Sequence, residues 1–200
     1  MLDARVGIPL RTVVHSSAVM KNRTITTLFV AAVCAASVRG TSPARPTQKA
    51  APRAAACNVE AYVVDKDPKG LNVRDAPGVQ GRVVAVIPLD EDGTVVRLLA
   101  SSPNGWVQIT HAETIGGKVV FDKKGWVSGN MLATGTRGYG TKGVKLYAAA
   151  RKGSAVGTIP SEDEARIAGC TGDWVRVKYK NLTGWLQPED QCLNPVTTCN

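Results

Sequence analysis

The stretch Gly70–Pro88, GLNVRDAPGVQGRVVAVIP, decides the fold of this chain. Its letters L-N-V-R alternate apolar and polar residues, which is the period-two pattern of a half-buried strand. A turn marked by Pro77 follows, and the apolar run Val83–Ile87 then predicts a second strand. The same unit returns in weaker form at Val144–Pro160, VKLYAAARKGSAVGTIP. The chain therefore contains an internal repeat built on strands and turns.

The repeat continues through two glycine- and tryptophan-containing motifs in each half of the chain. Asn104-Gly105-Trp106-Val107 corresponds to Gly172-Asp173-Trp174-Val175, and Lys124-Gly125-Trp126-Val127 corresponds to Thr183-Gly184-Trp185-Leu186. All four tryptophans of the chain are thus repeat positions, although aromatic residues make up only 5% of the sequence. Self-similarity at several matched places is a strong signal of domain organisation.

Short runs of β-forming residues recur along both repeats, separated by Gly, Pro, Asn and Asp and without useful helical periodicity. Such spacing predicts an all-β protein built as small barrels or sandwiches. The first unit is predicted over 58–134 and the second over 144–200, with a glycine-rich hinge at 135–143. The predicted strands are Ala61–Val64, Leu71–Arg74, Val83–Ile87, Val95–Leu99, Trp106–Thr110, Val119–Phe121 and Trp126–Met131, then Lys145–Ala148, Ala155–Ile159, Arg166–Gly169, Trp174–Tyr179 and Gly184–Gln187.

The N-terminal part has the pattern of an export signal followed by a linker. Met20 precedes two basic residues and the apolar run Ile25–Val38, after which small residues follow; this is the order of a secretory signal, predicted over 20–42. The run is too short and too rich in Thr and Ala to favour a stable membrane span. A buried N-terminal helix is the alternative, and lipidation at Cys34 stays open. We interpret residues 1–19 as a mis-assigned start.

Residues 43–57 are rich in Pro and Ala and predict a semi-flexible linker. The net charge of the whole chain is +9, but much of it lies in this linker and the leader. Residues 58–200 hold 17 basic and 15 acidic side chains. This near balance does not support a basic surface for nucleic acid. A basic tether to an anionic envelope surface is the alternative role of the linker.

Four cysteines remain once the leader is removed, and an even number in an exported chain indicates two disulfides. Four cysteines allow three pairings, and sequence does not choose between them. We predict that Cys170 pairs with Cys192, which leaves Cys57 to pair with Cys199. A zinc site is disfavoured because the chain has no C-x-x-C pair and because His111 is its only histidine outside the leader.

The pattern L-N-V-R-x-x-P, then I-P, then two G-W-V motifs before Asn130-Met131-Leu132, resembles the bacterial SH3-like domain family. The resemblance covers most of 58–134 and extends to 144–190, where L-N-V-R has become Val144-Lys145-Leu146-Tyr147. It implies two tandem five- to six-stranded barrels in an exported bacterial protein, periplasmic or extracellular. It also implies binding to peptidoglycan or another envelope component, although no hydrolase domain is attached here.

Catalytic constellations are not evident in the sequence. His111 is the one candidate base for a cysteine or serine nucleophile, and the cysteines are better explained as disulfides. The acidic runs Asp90–Asp92 and Glu162–Glu164 occupy equivalent loop positions of the two repeats. We interpret them as solvated turns, since they lack the alternation and turn glycine of a calcium loop. We predict a protein that is not an enzyme and has no cofactor or metal.

The tryptophans are the better functional clue because they are out of phase with the aliphatic residues of their strands. In Trp174–Tyr179, WVRVKY, the two valines and the tyrosine share one face and Trp174 takes the other. If the aliphatic face is the core, the tryptophans either pack the two barrels together or line a ligand groove. The predicted ligand-binding residues are Arg74, Trp106, Trp126, Tyr147, Trp174, Arg176, Lys178 and Trp185. The expected ligand is an envelope peptide or glycan; the alternative is an adaptor or inhibitor docking on another exported protein.

Overall fold

The computed structural model describes residues 53–193, and the predicted leader, Cys199 and most of the linker lie outside them. The described residues form strands and two short 3-10 helices, with no α-helix. The first half consists of β1 (Ala55–Val63), β2 (Leu71–Arg74), β3 (Val83–Ile87), β4 (Thr94–Ser101), β5 (Trp106–Thr114), β6 (Val119–Phe121), β7 (Gly125–Ser128), a 3-10 turn (Gly129–Met131) and β8 (Leu132–Thr136).

The second half repeats this order on a smaller scale. It consists of β9 (Gly143–Tyr147), β10 (Ala155–Pro160), β11 (Glu164–Thr171), β12 (Trp174–Tyr179), β13 (Leu182–Leu186), a 3-10 turn (Pro188–Asp190) and β14 (Gln191–Cys192). The all-β prediction is confirmed. No helix in the described part of the chain is long and apolar enough to cross a membrane.

All strands belong to one antiparallel sheet whose path runs β10-β9-β13-β12-β11-β8-β1-β4-β5-β7-β2-β3. Strand β6 pairs with β5, and β14 pairs with β8. The pairing of β4 with β5 shifts register between Arg97 and Ala100, and the pairing of β11 with β12 shifts between Ile167 and Gly169. Bulges of this kind bend a strand and increase its twist, so the sheet curls around a core at the same place in each repeat.

Strand β8 belongs to both barrels. It follows the 3-10 turn of barrel 1 and pairs with β1, as Tyr62 opposite Ala133 shows. It also pairs with β11 and β14 of barrel 2, through Arg166 opposite Ala133 and Gln191 opposite Thr136. In barrel 1, β1 pairs with β4 and β8; in barrel 2, β8 takes the corresponding place beside β11 and β14. One strand therefore ends the first barrel and begins the second.

The predicted glycine-rich hinge is shorter than its composition indicates. Residues 135 and 136 belong to β8, and Gly143 begins β9, so the connection comprises 137–142. Thr134 and Thr136 are buried, and the hydroxyl of Thr136 donates to the carbonyl of Pro160 at 2.7 Å. Side-chain and backbone hydrogen bonds thus hold this stretch in the sheet despite its glycines.

The core of each barrel lies on the aliphatic face that the alternation predicts. Ile87 and Ile159, the isoleucines of the two I-P motifs, are fully buried. The valines that follow the first tryptophan of each repeat, Val107 and Val175, are buried as well. Burial of such side chains contributes about 1.5–3 kcal/mol each. The aliphatic residues that the two repeats share therefore form the cores of the barrels.

A disulfide between Cys57 and Cys170 joins the two barrels, with 5.6 Å between the Cα atoms. The predicted pairs Cys170–Cys192 and Cys57–Cys199 are therefore wrong. Cys192 is also disulfide-bonded. The physical reason is the sheet: β1 lies beside β11 at the junction, and Cys57 forms an isolated parallel bridge with Gly172. The sequence alone does not reveal that these strands are neighbours.

Hydrogen bonds across the junction surround this disulfide. The amide of Asn58 donates to the carbonyl of Gly172 at 2.6 Å, and the hydroxyl of Ser101 donates to the carbonyl of Cys170 at 3.0 Å. At the other end of the junction the phenol of Tyr62 donates to Glu164 at 3.2 Å. Burial, together with the nearby Glu164 carboxylate, raises the pKa of Tyr62, so the phenol keeps its proton and this hydrogen bond at alkaline pH as well as at neutral pH.

Replacing both Cys57 and Cys170 with serine tests the covalent link between the barrels. The bond spans 113 residues, so its loss is expected to lower the free energy of unfolding by about 2–5 kcal/mol. Urea unfolding without reductant measures this loss, and the double variant leaves no unpaired thiol at the junction. An unchanged unfolding midpoint would contradict a structural role for the bond.

The variant Gly129→Ala tests the close approach of the barrels. A Cβ at this position would lie 2.6 Å from the carbonyl oxygen of Ile167 and 2.7 Å from that of Gly105. We expect a loss of about 1–3 kcal/mol of stability because backbone must move to relieve the overlap. Gly116→Ala is the matched control, since its nearest contact would be Thr114 Oγ1 at 3.7 Å. Equal thermal stability of the two variants would count against the tight junction.

Candidate functional site

Each barrel has an outward sheet face that carries its two tryptophans. The barrel-1 outer face is defined by alternate residues of β2, β5 and β7, and the barrel-2 outer face by alternate residues of β9, β12 and β13. All four indoles are half-buried, while the neighbouring valines and leucine of the same strands are buried. The faces are, for barrel 1, Asn72, Arg74, Trp106, Gln108, Thr110 and Trp126 and, for barrel 2, Lys145, Tyr147, Trp174, Arg176, Lys178 and Trp185.

Strand register places corresponding residues in the same rows on the two faces. In barrel 1, Trp126 lies opposite Gln108 on one side and opposite Arg74 on the other. In barrel 2, Trp185 lies opposite Arg176 and Tyr147. Residues directly opposite each other in antiparallel strands are close enough for their side chains to interact. The structure thus brings the eight predicted site residues together as two groups, three on barrel 1 and five on barrel 2.

Arg74 and Trp106 form the most ordered part of the barrel-1 face. The guanidinium carbon of Arg74 lies 5.9 Å from the centre of the Trp106 ring, within the range of a cation–π contact. Its Nη1 donates to the carbonyl of Gly81 at 2.6 Å. Two separate contacts therefore hold the guanidinium beside the indole, so a ligand meets a preformed arrangement.

A groove of about 370 Å³ opens beside this pair. The carboxylates of Asp65 and Asp67 line one part of it, and Met131 and the indole of Trp106 supply apolar surface. The loop is shaped by its own aspartates, because Asp65 accepts the amide of Asp67 at 3.0 Å and Asp67 accepts the amide of Lys69 at 3.0 Å. Two acidic residues, a cation and an aromatic ring therefore line the same groove.

Trp126 lines a second groove of the same barrel, about 650 Å³ in volume. Its walls come from β3 on one side and from β6 with the following connection on the other. Lys123 and Lys124 contribute the cations, and Val84 and Val120 the apolar surface. The hairpin that supplies β6 has no counterpart in barrel 2, which passes directly from β12 to β13.

On barrel 2 the aromatic rings contact one another. Tyr147 and Trp174 meet edge to face, with ring centres 5.7 Å apart and an angle of 72° between the planes. Such pairs contribute about 0.5–1.5 kcal/mol beyond burial. Tyr147 corresponds to Arg74 in the repeat, so the same repeat position contacts the first tryptophan in both barrels. It is a cation in barrel 1 and an aromatic ring in barrel 2.

Trp185 and Arg176 border a smaller groove of about 190 Å³ where the two barrels meet. Barrel 1 contributes Ser101, Ser102 and Pro103 to it. Both predicted roles of the tryptophans stay open: Trp185 lines the groove at the junction, and Trp106 and Trp126 line grooves of barrel 1. The shared strand β8, the disulfide and the hydrogen bonds of Tyr62 and Ser101 join the barrels.

Sequence reasoning missed several groove residues. Asp65 and Asp67 precede the first recognisable repeat position, and Met131 belongs to a turn, so none of them stands out in the alternation pattern. Lys123 and Lys124 were visible as a basic pair in the extended hairpin but carried no further signal. What reveals all five is the folding of loops over the strand ends, which brings residues distant in sequence to the same groove.

The histidine and the acidic residues that were considered for catalysis or metal binding make hydrogen bonds and ion pairs with neighbouring side chains of the described chain. His111 Nε2 lies 3.3 Å from Glu113, and among residues 53–193 the ion-pair neighbours of His111 are Glu113 and Asp122. Asp163 accepts a hydrogen bond from the Tyr179 phenol at 2.6 Å, and this bond, with the Glu164 amide, lowers the pKa of Asp163. Between residues 53 and 193, no cluster of three or more His, Cys, Asp and Glu is arranged to hold a metal ion.

Comparisons with known proteins agree with the repeat. The family model for the bacterial SH3 domain matches residues 69–133 and again 142–190. Two solved structures, NlpC2 and NlpC1 from Trichomonas vaginalis, are each 14% identical, with TM-scores of 0.26 and 0.28. The matches cover 66% and 67% of this chain but only 46% and 45% of those chains. No curated protein matches the sequence.

Proposed function

The chain belongs to the bacterial SH3 domain family, and from this premise we propose that it is an exported, non-catalytic module that binds a component of the bacterial cell envelope. The ligand that we propose is a peptide or glycan of peptidoglycan. Export is supported by the predicted signal over 20–42 and by the disulfide, since such bonds persist in oxidising compartments. The observation that carries the proposal is the Trp106 groove.

The chemistry of the Trp106 groove suits a small zwitterionic ligand. Asp65 and Asp67 offer acceptors for an amino group, and Arg74 offers a cation for a carboxylate. The half-buried indole of Trp106, which contacts Arg74, supplies apolar contact area at little conformational cost. A cell-wall peptide carries amino and carboxyl groups together with short apolar side chains, so one ligand can use all three kinds of contact.

Sedimentation with purified peptidoglycan tests this function. The full chain is expected to co-sediment, and Trp106→Ala is expected to weaken binding by about tenfold or more, as truncation of a central aromatic anchor does. Arg74→Ala should weaken binding in the same direction. Tyr139→Ala is the matched control, because this ring is 76% exposed and does not line the Trp106 groove. No retention of the wild-type chain, or equal retention of all variants, would refute the proposed site.

A protein partner is the second candidate function, and the exposed edge of barrel 1 favours it. Strand β3 ends the sheet path and has Val83, Val84 and Val86 exposed at 41%, 48% and 45%. An open, apolar edge strand is a template for pairing with an extended segment of another protein. The Trp126 groove lies directly beside this edge.

Replacing Val84 and Val86 with lysine tests the second candidate. Lysine on an edge strand discourages pairing with another chain. Crosslinking in the exported fraction of the producing bacterium is expected to recover one defined partner with the wild-type chain and to lose it with the variant. A Val119→Lys variant, whose residue is 51% exposed on β6, controls for added charge alone. An identical crosslinking pattern for all three chains would contradict docking at β3.

A further inference from the structure

The outer faces of the two barrels share their geometry but differ in charge. Three neutral residues of barrel 1 are replaced by cations at the corresponding positions of barrel 2: Asn72 by Lys145, Gln108 by Arg176 and Thr110 by Lys178. The correspondence is structural as well as sequential, because Gln108 and Arg176 each lie opposite the second tryptophan of their own repeat. The cations are therefore additions to a common framework and are not needed to build it.

These three cations have no acidic partner among the described residues. Two other basic residues of barrel 2 are paired with acids: Arg166 lies 3.2 Å from Glu164, and Arg151 lies 3.5 Å from Asp173. Lys145, Arg176 and Lys178 are all exposed and take part in none of the ion pairs. The face is thus left with three uncompensated positive charges, in a part of the chain (135–200) that has nine basic and six acidic residues.

Aromatic rings lie beside the cations on this face. Across the strands, one row reads Arg176, Trp185 and Tyr147. Neighbouring strands lie about 4.8 Å apart, so this row extends roughly 10 Å. Trp174 contacts Tyr147 from the next row. A ligand lying across the strands would therefore meet a cation at one end of the row and two aromatic rings beyond it.

The face continues into the groove at the barrel junction. Arg176 and Trp185 line both, and Arg53 adds another cation to the lining of the groove. The hydroxyl-bearing residues Ser101 and Ser102 complete the wall, and no acidic residue lines it. An elongated anionic ligand thus has a continuous path from the outer face to the junction.

We propose that the barrel-2 outer face binds a glycan chain that carries carboxylates. This inference rests on the proposed function and specifies the ligand class for the second barrel. Carboxylates complement the uncompensated cations, which donate strong charge-assisted hydrogen bonds. The apolar C–H faces of sugar rings complement the half-buried indoles and the phenol, which lie side by side along this row.

The ring arrangement favours a glycan over single-stranded nucleic acid. Nucleic-acid platforms stack successive flat bases on open aromatic faces. Here Tyr147 and Trp174 are inclined by 72°, so the pair presents an edge beside a face. A flat base cannot cover both, whereas a puckered sugar with C–H groups on its faces and hydroxyls on its rim can contact both.

Binding of the full chain to polygalacturonate, measured by calorimetry at low salt, tests the proposal. We expect binding that weakens as salt is added, because exposed charges are screened, and no binding to neutral dextran. The variant Lys145→Asn, Arg176→Gln and Lys178→Thr carries the residues of barrel 1 at the same positions and so preserves a framework that the fold already uses. Its affinity is expected to fall by about tenfold or more.

The matched control removes three exposed cations from barrel 1 instead, with Lys66→Asn, Lys69→Asn and Lys118→Asn, and should bind as the wild type does. Equal affinity of the two triple variants would overturn the proposal, as would absence of wild-type binding to polygalacturonate. If a single-stranded DNA oligonucleotide binds as tightly as polygalacturonate, the proposal of a glycan ligand is wrong and the face binds polyanions in general. The proposed function is judged separately, because Trp106-dependent retention on peptidoglycan can persist when the barrel-2 cations prove irrelevant.

Discussion

The structure depends on the hydrogen bonds of a single shared strand. Strand β8 ends the first barrel beside β1 and begins the second beside β11 and β14. A backbone that is paired on both sides cannot separate the barrels without breaking buried hydrogen bonds, each costly to leave unmade. The Cys57–Cys170 bond then adds a covalent tie at the same junction. The two repeats consequently form one continuous sheet, although the sequence pattern indicates two separate domains.

This junction determines which surfaces remain for binding. Strands β1, β8 and β11 join the barrels, and the tryptophans lie on other strands; Trp106 and Trp126 line grooves of barrel 1, and Trp185 borders the groove at the junction. The same repeat position contacts the first tryptophan in each half, as Arg74 in barrel 1 and Tyr147 in barrel 2. A duplicated framework with different side chains at matched positions gives the two faces different recognition chemistry. Under the proposed function, two linked sites on one polymer would gain avidity without new contacts.

The repeat also separates residues that build the barrel from residues that distinguish its copies. Ile87 and Ile159 are fully buried and equivalent, and so are Val107 and Val175. Outward positions diverge, as Gln108 and Arg176 illustrate, because a solvent-facing side chain can change without disturbing the packing beneath it. Function is therefore to be sought in the differences between the copies and stability in their similarities. The Trp126 groove follows the same logic, since only barrel 1 has the hairpin that forms its wall.

The sequence by itself determined the strands, the repeat and the family, because these depend on local alternation, turn residues and spacing, all of which are short-range. It also indicated that Trp106, Trp126, Trp174 and Trp185 avoid the core, since side-chain direction follows from the period of a strand. Only the tertiary structure decided the pairing of Cys57 with Cys170 and the double use of β8. It likewise decided the meeting of Asp65 with Trp106 in one groove. These features join residues far apart in the chain, and no local pattern records which distant strands become neighbours when two similar barrels fold against each other.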